Sequence, residues 1–102
     1  MPVNSKVIPF TKANVDRSPE EPGVYALLDA NENVKYYGMS TVSIRSRLKS
    51  HLAGNEGACT QGAVKYKREV TTSAAAPVRE AALLSAFQER NGKLPPCNEK
   101  AS

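Results

Sequence analysis

The sequence predicts an α/β fold in which one small three-stranded antiparallel sheet is flanked by helices, in the order ββαβα. Two segments of alternating apolar residues stand on either side of a polar turn, as in a β-hairpin. A third such segment lies between two stretches in which apolar residues recur every three or four positions, as on one face of a helix. At 102 residues, the chain is long enough for one core and hence for one domain.

The hairpin consists of GVYALLDA and VKYYG, with NEN as the turn. In the first strand, Val24, Ala26 and Leu28 share one side of the sheet. Tyr25 and Leu27 share the other side. Both faces of this strand therefore carry side chains that can pack against other parts of the chain.

The register of this hairpin decides where its tyrosines meet. If Leu28 pairs with Asn33 around a four-residue loop, Tyr25 lies opposite Tyr36 on the same face. A slip of one residue would separate them, so the pairing is a hypothesis about register.

The first helix is expected to begin after Ser43, a capping residue, and to run to His51 or Leu52. Its buried stripe is formed by Ile44, Leu48 and Leu52. The following NEGACTQG is expected to be a loop. The third strand, AVKYKREVT, places four residues on one face: Val64, Tyr66, Arg68 and Val70.

The last helix is predicted within TTSAAAPVREAALLSAFQERNG, with a Ser/Thr start and Asn91-Gly92 as its end. Leu83, Leu84 and Phe87 form its apolar stripe. The domain spans residues 22–98. Residues 1–21 are an extended lead-in, in which VIPF adds a short edge strand or lies across the core, and the chain closes in an extended tail that includes residues 99–102.

The composition and the charge distribution limit the classes of function that this chain can have. The formal charge is +4, and between Ser43 and Arg68 there are six basic residues against one acid, Glu56. Such a surface suits nucleic acid, although a solvated face is the alternative. The sequence shows no apolar run of membrane-spanning length and no secretory signal. The two cysteines, far apart and without a CxxC spacing, are expected to be reduced thiols in a cytoplasmic protein.

Several residues beside the helix stripes carry chemistry. Arg47 and His51 are i, i+4 neighbours that can lean over the sheet edge. Glu80 occupies a stripe position on the last helix, and no basic residue lies at i±3 or i±4 from it. An uncompensated buried carboxylate costs several kcal/mol, so its partner is expected to be a metal ion or an arginine such as Arg47.

A carboxylate, an arginine, a histidine and two tyrosines at a basic surface are suited to phosphodiester hydrolysis. The carboxylate holds a divalent cation and the arginine neutralises charge on the phosphate. A tyrosine, alone or with the histidine, positions or deprotonates the attacking water.

The motifs GVY at Gly23–Tyr25, YYG at Tyr36–Gly38 and RSRLKSHL resemble those of the GIY-YIG nuclease domain, as do VREAALLSAF and PPCN. The resemblance covers residues 22–98. It implies a three-stranded antiparallel sheet flanked by helices and cleavage of DNA, more rarely RNA, with Mg²⁺ or Mn²⁺.

The same resemblance implies site residues. They are the signature tyrosines Tyr25 and Tyr36, the charge-stabilising Arg47, the helix histidine His51, the metal ligand Glu80 and the supporting Asn98. Each also has an ordinary structural explanation, such as sheet packing for the tyrosines or satisfaction of backbone groups for Asn98.

Three departures from the family pattern stand out. Met39 replaces a frequent basic residue after the second motif. The spacing to Arg47 is one residue longer than usual, which leaves Arg45 as a second candidate. The gap from Glu80 to Asn98 is also long, and an alignment anchored on REA puts Ser85 at the metal position and implies an inactive protein. Glu80 is preferred, because EAALLSAF then keeps its apolar stripe in phase with the carboxylate.

The sequence therefore predicts a metal-dependent endonuclease with little sequence specificity, acting on DNA rather than RNA. The alternatives are an inactive nucleic-acid-binding module of the same fold and a small interaction protein whose charge is incidental. A small domain reads little sequence, so targeting by a homodimer or a partner protein is expected, and no membrane. The expected nucleic-acid contacts are Arg45, Lys49, Lys65, Lys67 and Arg68.

Overall fold

The structure of the protein, a computed structural model, describes residues 6–100. Its strands are β1 (Ile8–Pro9), β2 (Gly23–Leu28), β3 (Val34–Ser40) and β4 (Lys65–Val70). Its helices are α1 (Lys12–Asp16), α2 (Ile44–Leu52), α3 (Ala58–Gln61), α4 (Ala75–Asn91) and α5 (Pro96–Lys100). The predicted ββαβα order is present as β2, β3, α2, β4 and α4, and the α/β class is confirmed.

The sheet has four antiparallel strands in the order β1-β4-β2-β3, so the prediction of three strands is wrong. The additional strand is β1, in which Ile8 pairs with Tyr66 and Pro9 with Lys65. Proline is tolerated there because an edge strand leaves one row of N–H groups unpaired. Of the two alternatives for VIPF, the structure has the edge strand.

The hairpin register differs from the predicted one. Tyr25 lies opposite Gly38, and Tyr36 lies opposite Leu27. The difference arises at the turn, where Asp29 Oδ1 accepts hydrogen bonds from two backbone N–H groups and the pairing shifts after Leu27. Because the offset at Tyr25 is two residues, both tyrosines still point to the same side of the sheet.

The two long helices form where the periodicity predicts them. Ser43 Oγ accepts the Ser46 N–H at 3.2 Å and caps α2. Thr72 Oγ1 accepts the Ala75 N–H at 3.1 Å at the start of α4, and Gly92 ends that helix with a φ of +77°. No helix in the described part of the chain is long and apolar enough to cross a membrane.

Three short helices lie where other structure was predicted. The helix α1 interrupts the extended lead-in, α3 lies in the expected loop, and α5 lies in the expected extended tail. Each has four or five residues, which is too short to leave a periodic apolar pattern in the sequence. Proline at the first position of α5 is compatible with a helix, since that N–H has no partner inside the helix.

The sheet separates two hydrophobic cores. One side, called here the α2 face, packs against α1 and α2 through Phe10, Val15, Tyr25, Leu27, Ile44, Leu48, Ala63 and Tyr66. The other side, called here the α4 face, packs against α4 through Val24, Ala26, Leu28, Tyr37 and Leu83. The alternation predicted for β2 is therefore observed.

Cys59 and Cys97 form a disulfide with a Cα–Cα distance of 5.7 Å. The prediction of two reduced thiols is wrong in this structure. The cysteines are 38 residues apart in sequence, and α5 brings the second one back to α3. The disulfide therefore fixes two short helices to each other at one end of the sheet.

Candidate active site

A cavity of about 790 Å³ opens beside α2 and α3. Two of the predicted site residues, Tyr36 and Arg47, line it. The other lining residues come from the segment after α2 and from α5, and they are Glu56, Gly57, Ala58, Cys59, Thr60 and Cys97. The structure thus brings the second tyrosine and the arginine to one concave surface.

Tyr25 lies behind this surface, within the core of the α2 face. Its side chain is fully buried, and its hydroxyl lies 2.8 Å from His51 Nε2. Burial raises the pKa of the Tyr25 hydroxyl, and the nearby charge of Arg47 opposes that rise. Gly38 leaves room for this ring, because a Cβ there would lie 2.5 Å from the Tyr25 hydroxyl.

Tyr36 is the more accessible tyrosine. Its ring centroid is 6.3 Å from that of Tyr25 and 5.1 Å from that of His51. Burial raises the pKa of Tyr36, whereas the charge of Arg47 lowers it. Tyr36 therefore occupies the boundary between the buried aromatic cluster and the cavity.

Arg47 lies beside both phenols, and its charge opposes the rise in pKa that burial causes in Tyr25 and in Tyr36. One terminal nitrogen, Nη2, is 3.4 Å from Glu56 Oε1. The buried Nε has no hydrogen-bond partner within residues 6–100. The Arg47 side chain is 41% exposed, so its terminal nitrogens, and not the buried Nε, are the donors available to an anion in the cavity.

Glu56 was not a predicted site residue. It accepts a hydrogen bond from Ser50 Oγ at 2.8 Å and pairs with Arg47 across the cavity wall. A signal was present, because Glu56 is the only acid between Ser43 and Arg68. Its identity as the acid nearest the arginine was not evident, because the segment after α2 has no periodicity.

His51 is buried, with only 1% of its surface exposed. Its Nδ1 lies 2.8 Å from Thr60 Oγ1, and its Nε2 faces Tyr25. Burial lowers the pKa of His51 to about 4, so the ring is neutral near pH 7. Thr60 lies in a segment predicted to be a loop, so no pattern in the sequence points to it.

Glu80 is half-buried on α4 and does not line the cavity. Burial raises its pKa, and the charge of Arg47 lowers it. Within residues 6–100 it makes no hydrogen bond or ion pair, since Arg47 pairs with Glu56 instead. Ser85, the alternative from the second alignment, is exposed.

Asn98 is engaged with the backbone of β3. Its Nδ2 donates to Tyr37 O and its Oδ1 accepts from Tyr37 N, both at 2.9 Å. It therefore extends the edge of the sheet with a side-chain amide, next to the strand position that carries Tyr36. The ordinary explanation, satisfaction of backbone groups, describes its contacts.

The predicted nucleic-acid contacts are divided between the two faces. Arg45 and Lys49, on α2, are tied to the N-terminal segment, the first through Ser18 O at 2.7 Å and the second through Asp16 at 3.4 Å. Lys65 pairs with Glu32 at 3.2 Å. The remaining two are Lys67, which lines a small cavity on the α4 face, and Arg68, opposite Tyr25 in the sheet.

Met39, the departure from the family pattern, packs partly buried against the core of the α4 face. At this position the chain therefore supplies packing and no positive charge.

The chain is similar to solved structures of the GIY-YIG N-terminal endonuclease domain of UvrC from Thermotoga maritima. The form bound to magnesium as its catalytic divalent cation has a TM-score of 0.59 and 24% identity, over 76% of this chain and 94% of that chain. A point mutant with asparagine changed to alanine, also bound to its catalytic divalent cation, has a TM-score of 0.61 and 23% identity, over 76% and 93%. At this level of identity the likeness shows the fold.

A family model gives a second match. The model described as a domain of unknown function (DUF7508) matches residues 1–90. No curated protein matched the chain.

Proposed function

The chain belongs to the family described as a domain of unknown function (DUF7508), and we propose that it is a divalent-metal-dependent endonuclease that hydrolyses phosphodiester bonds in nucleic acid. The observation that carries the proposal is the position of Arg47, beside two phenols, at a cavity and within electrostatic reach of Glu80. Support comes from the fold, which is that of endonuclease domains described as bound to a catalytic divalent cation.

The donor set fits one Mg²⁺ or Mn²⁺ with Glu80 as its protein ligand. Mg²⁺ is commonly bound by one or two carboxylates and completes its shell with water and substrate phosphate oxygens. Within residues 6–100 no three His, Cys, Asp or Glu side chains form a metal cluster, so a single carboxylate without a protein partner is the candidate. When bound, such a cation polarises the phosphate and stabilises the leaving oxygen.

Tyr36 is assigned to the attacking water. Its oxygen accepts a proton from the water as the water oxygen bonds to phosphorus and the P–O bond to the leaving oxygen breaks. The leaving oxygen takes its proton from solvent. Tyr36 has to be ionised to act this way. Burial raises its pKa, and the positive charge of Arg47 opposes that rise.

Arg47 is assigned to the non-bridging phosphate oxygens, where its charge is worth most in the transition state. To reach them it exchanges Glu56 for phosphate, because one terminal nitrogen is held by that carboxylate. Tyr25 and His51 are buried and act as positioning residues behind Arg47 and Tyr36. Asn98 supports the strand that carries Tyr36.

The substrate is proposed to be DNA rather than RNA, with little sequence preference. Of the five predicted phosphate contacts, at least three are ion-paired within the chain and the set is split between two faces. Targeting by a homodimer or a partner protein therefore stays part of the proposal. A cytoplasmic location is also part of the proposal. Disulfides are rare in that compartment, so the test is whether Cys59 and Cys97 are oxidised or reduced when cells are lysed in the presence of an alkylating agent.

The test is a cleavage assay on supercoiled, branched and single-stranded DNA and on RNA, in Mg²⁺, in Mn²⁺ and in EDTA. Glu80→Ala and Ser85→Ala are run as a matched pair on the same helix, each checked for folding by circular dichroism. Metal-dependent nicking that Glu80→Ala abolishes and Ser85→Ala keeps is the expected result. Salt-sensitive binding with no cleavage under any condition would replace the proposal with the inactive binding module.

A further inference from the structure

We propose that Thr60 is a positioning residue that holds His51 in the tautomer protonated at Nδ1, so that Nε2 accepts the hydroxyl hydrogen of Tyr25. The effect of this tautomer on catalysis rests on the proposed nuclease function, whereas the assignment of the tautomer does not.

The geometry is a buried chain of short contacts. Tyr25 Oη lies 2.8 Å from His51 Nε2, and His51 Nδ1 lies 2.8 Å from Thr60 Oγ1. The exposed fractions of Tyr25, His51 and Thr60 are 0%, 1% and 3%. Groups this deeply buried satisfy their hydrogen bonds within the protein, so the chain has a definite direction.

At the Thr60 end, the hydroxyl contacts one further group. That group is Gly57 O, at 3.4 Å from Thr60 Oγ1. A carbonyl oxygen accepts and never donates, so Thr60 gives its hydrogen to Gly57. The Thr60 oxygen is then left to accept the N–H of His51 Nδ1.

At the Tyr25 end, the guanidinium of Arg47 fixes the same direction. Arg47 carries only N–H groups and a positive charge, and it lies close enough to the phenol to donate a side-chain hydrogen bond to its oxygen. The hydroxyl hydrogen of Tyr25 is repelled by that charge and points to Nε2. The opposite tautomer would aim two hydrogens at the space between Tyr25 and His51 or turn one toward Arg47.

The consequence concerns Arg47. With its hydrogen directed to His51, Tyr25 presents a free lone pair to the guanidinium, which holds the arginine toward Tyr36 and the cavity. Thr60 itself is held because its neighbour Cys59 is bonded to Cys97. A short helix that carries no predicted site residue thereby sets the direction of the hydrogen bonds behind the site.

The direct test is nitrogen NMR of the histidine ring. His51 is the only histidine in the sequence, so ¹⁵N-histidine labelling gives one ring and no assignment problem. The expected result for the unmodified protein at pH 7 is a proton bonded to Nδ1 and a bare Nε2. A proton on Nε2 would overturn the proposal, whatever the protein does to nucleic acid.

Variants of Thr60 test the cause. Thr60→Val removes the hydroxyl at nearly constant volume, and we expect the ring to become a mixture of tautomers. Thr60→Ser keeps the hydroxyl and should keep the Nδ1 proton. An unchanged tautomer in Thr60→Val, shown by circular dichroism to be folded, would overturn the role of Thr60.

The catalytic consequence is measured separately. If the nuclease proposal holds, Thr60→Val should lower kcat by about 10- to 100-fold, as expected for a displaced reacting group, with KM little changed. Thr60→Ser should restore kcat. An equal loss in both variants would assign Thr60 to packing alone, whereas absence of cleavage in every variant, with the Nδ1 proton observed, would refute the nuclease and leave the tautomer assignment standing.

Discussion

The two faces of the sheet are built from different chemistry. On the α4 face, the buried core side chains are Val24, Ala26, Leu28, Tyr37 and Leu83, and four of these five are pure hydrocarbon. On the α2 face, buried phenols meet buried polar partners, as in Tyr25 with His51 at 2.8 Å and Tyr66 with Ser18 at 2.9 Å. One strand, β2, supplies apolar groups to both.

The difference shows how a small domain separates stability from chemistry. Apolar burial on the α4 face is favourable in proportion to its area and needs no partners. Each buried polar group on the α2 face is stable only while its partner is in place. We therefore expect changes in the apolar core of the α4 face to alter stability alone, with Glu80 on α4 as the exception, and changes on the α2 face to alter stability and activity together.

The largest expected effect is the loss of stability when a buried leucine is truncated on either face, and the two faces should differ in what happens to activity. Leu28→Ala and Leu48→Ala each remove a buried side chain and should lower the free energy of unfolding by about 2–5 kcal/mol. Below its unfolding transition, Leu28→Ala, which lies on the α4 face but not on a helix that carries a proposed site residue, should keep its cleavage rate. Leu48→Ala, on the helix that carries Arg47, should lose most of it. Urea denaturation and nicking assays at 15 °C measure both, and equal rates in the two variants would contradict the separation.

A pair of arginines gives the second test. Arg47→Ala should lower the cleavage rate by about 10²- to 10³-fold, the loss typical of one transition-state donor. Arg79, on the α4 face, pairs with Glu69 at 3.0 Å and is its matched control. Arg79→Ala should change stability and leave the rate within a few-fold. Similar rate losses in both variants would mean that overall charge, not position, supports activity.

The pH dependence of stability comes next in size. The pKa of His51 is lowered from 6.5 to about 4 in the folded protein, so between these values the unfolded chain takes up a proton that the folded chain does not. The free energy of unfolding should therefore fall by up to about 3 kcal/mol as the pH drops from 6.5 to 4. His51→Gln should flatten this part of the profile in urea titrations. Parallel profiles for the two proteins would refute the burial of a neutral histidine.

The smallest expected effect concerns the edge strand that both faces share. Asn98→Ala removes two hydrogen bonds to the Tyr37 backbone and should cost about 1–2 kcal/mol of stability. Hydrogen exchange at the Tyr37 amide should accelerate in this variant. Asn98→Asp, which keeps the acceptor and loses the donor, should leave that amide protected. If exchange is unchanged in Asn98→Ala, Asn98 does not hold β3.

The sequence predicted the parts of the fold that have a period. Alternation in β2 assigned its side chains to the two faces, and the stripe of Ile44 and Leu48 placed α2 on the core. The register was wrong because a single side chain, Asp29, organises the turn by accepting two backbone hydrogen bonds. No pattern of alternation reveals such a contact.

The candidate site could be predicted only where its residues lie on periodic elements. Tyr36, Arg47 and His51 lie on β3 and α2, and the structure brings them together. Glu56 and Thr60 come from a segment without periodicity. The path of this segment is fixed by the disulfide between Cys59 and Cys97, which are 38 residues apart in sequence. Such contacts depend on tertiary structure, and neither spacing nor composition contains them.

The disulfide also determines whether the fragments stay together when the backbone is cleaved. Any single cleavage between Cys59 and Cys97 leaves two fragments joined by a covalent bond, and Glu80 lies inside that interval whereas Arg47 lies outside it. A protease that nicks the exposed Ser73–Ala74 segment would therefore leave the fragment with Glu80 covalently bonded to the fragment with Arg47. The nicked protein should migrate as one species in a non-reducing gel and as two after a thiol is added.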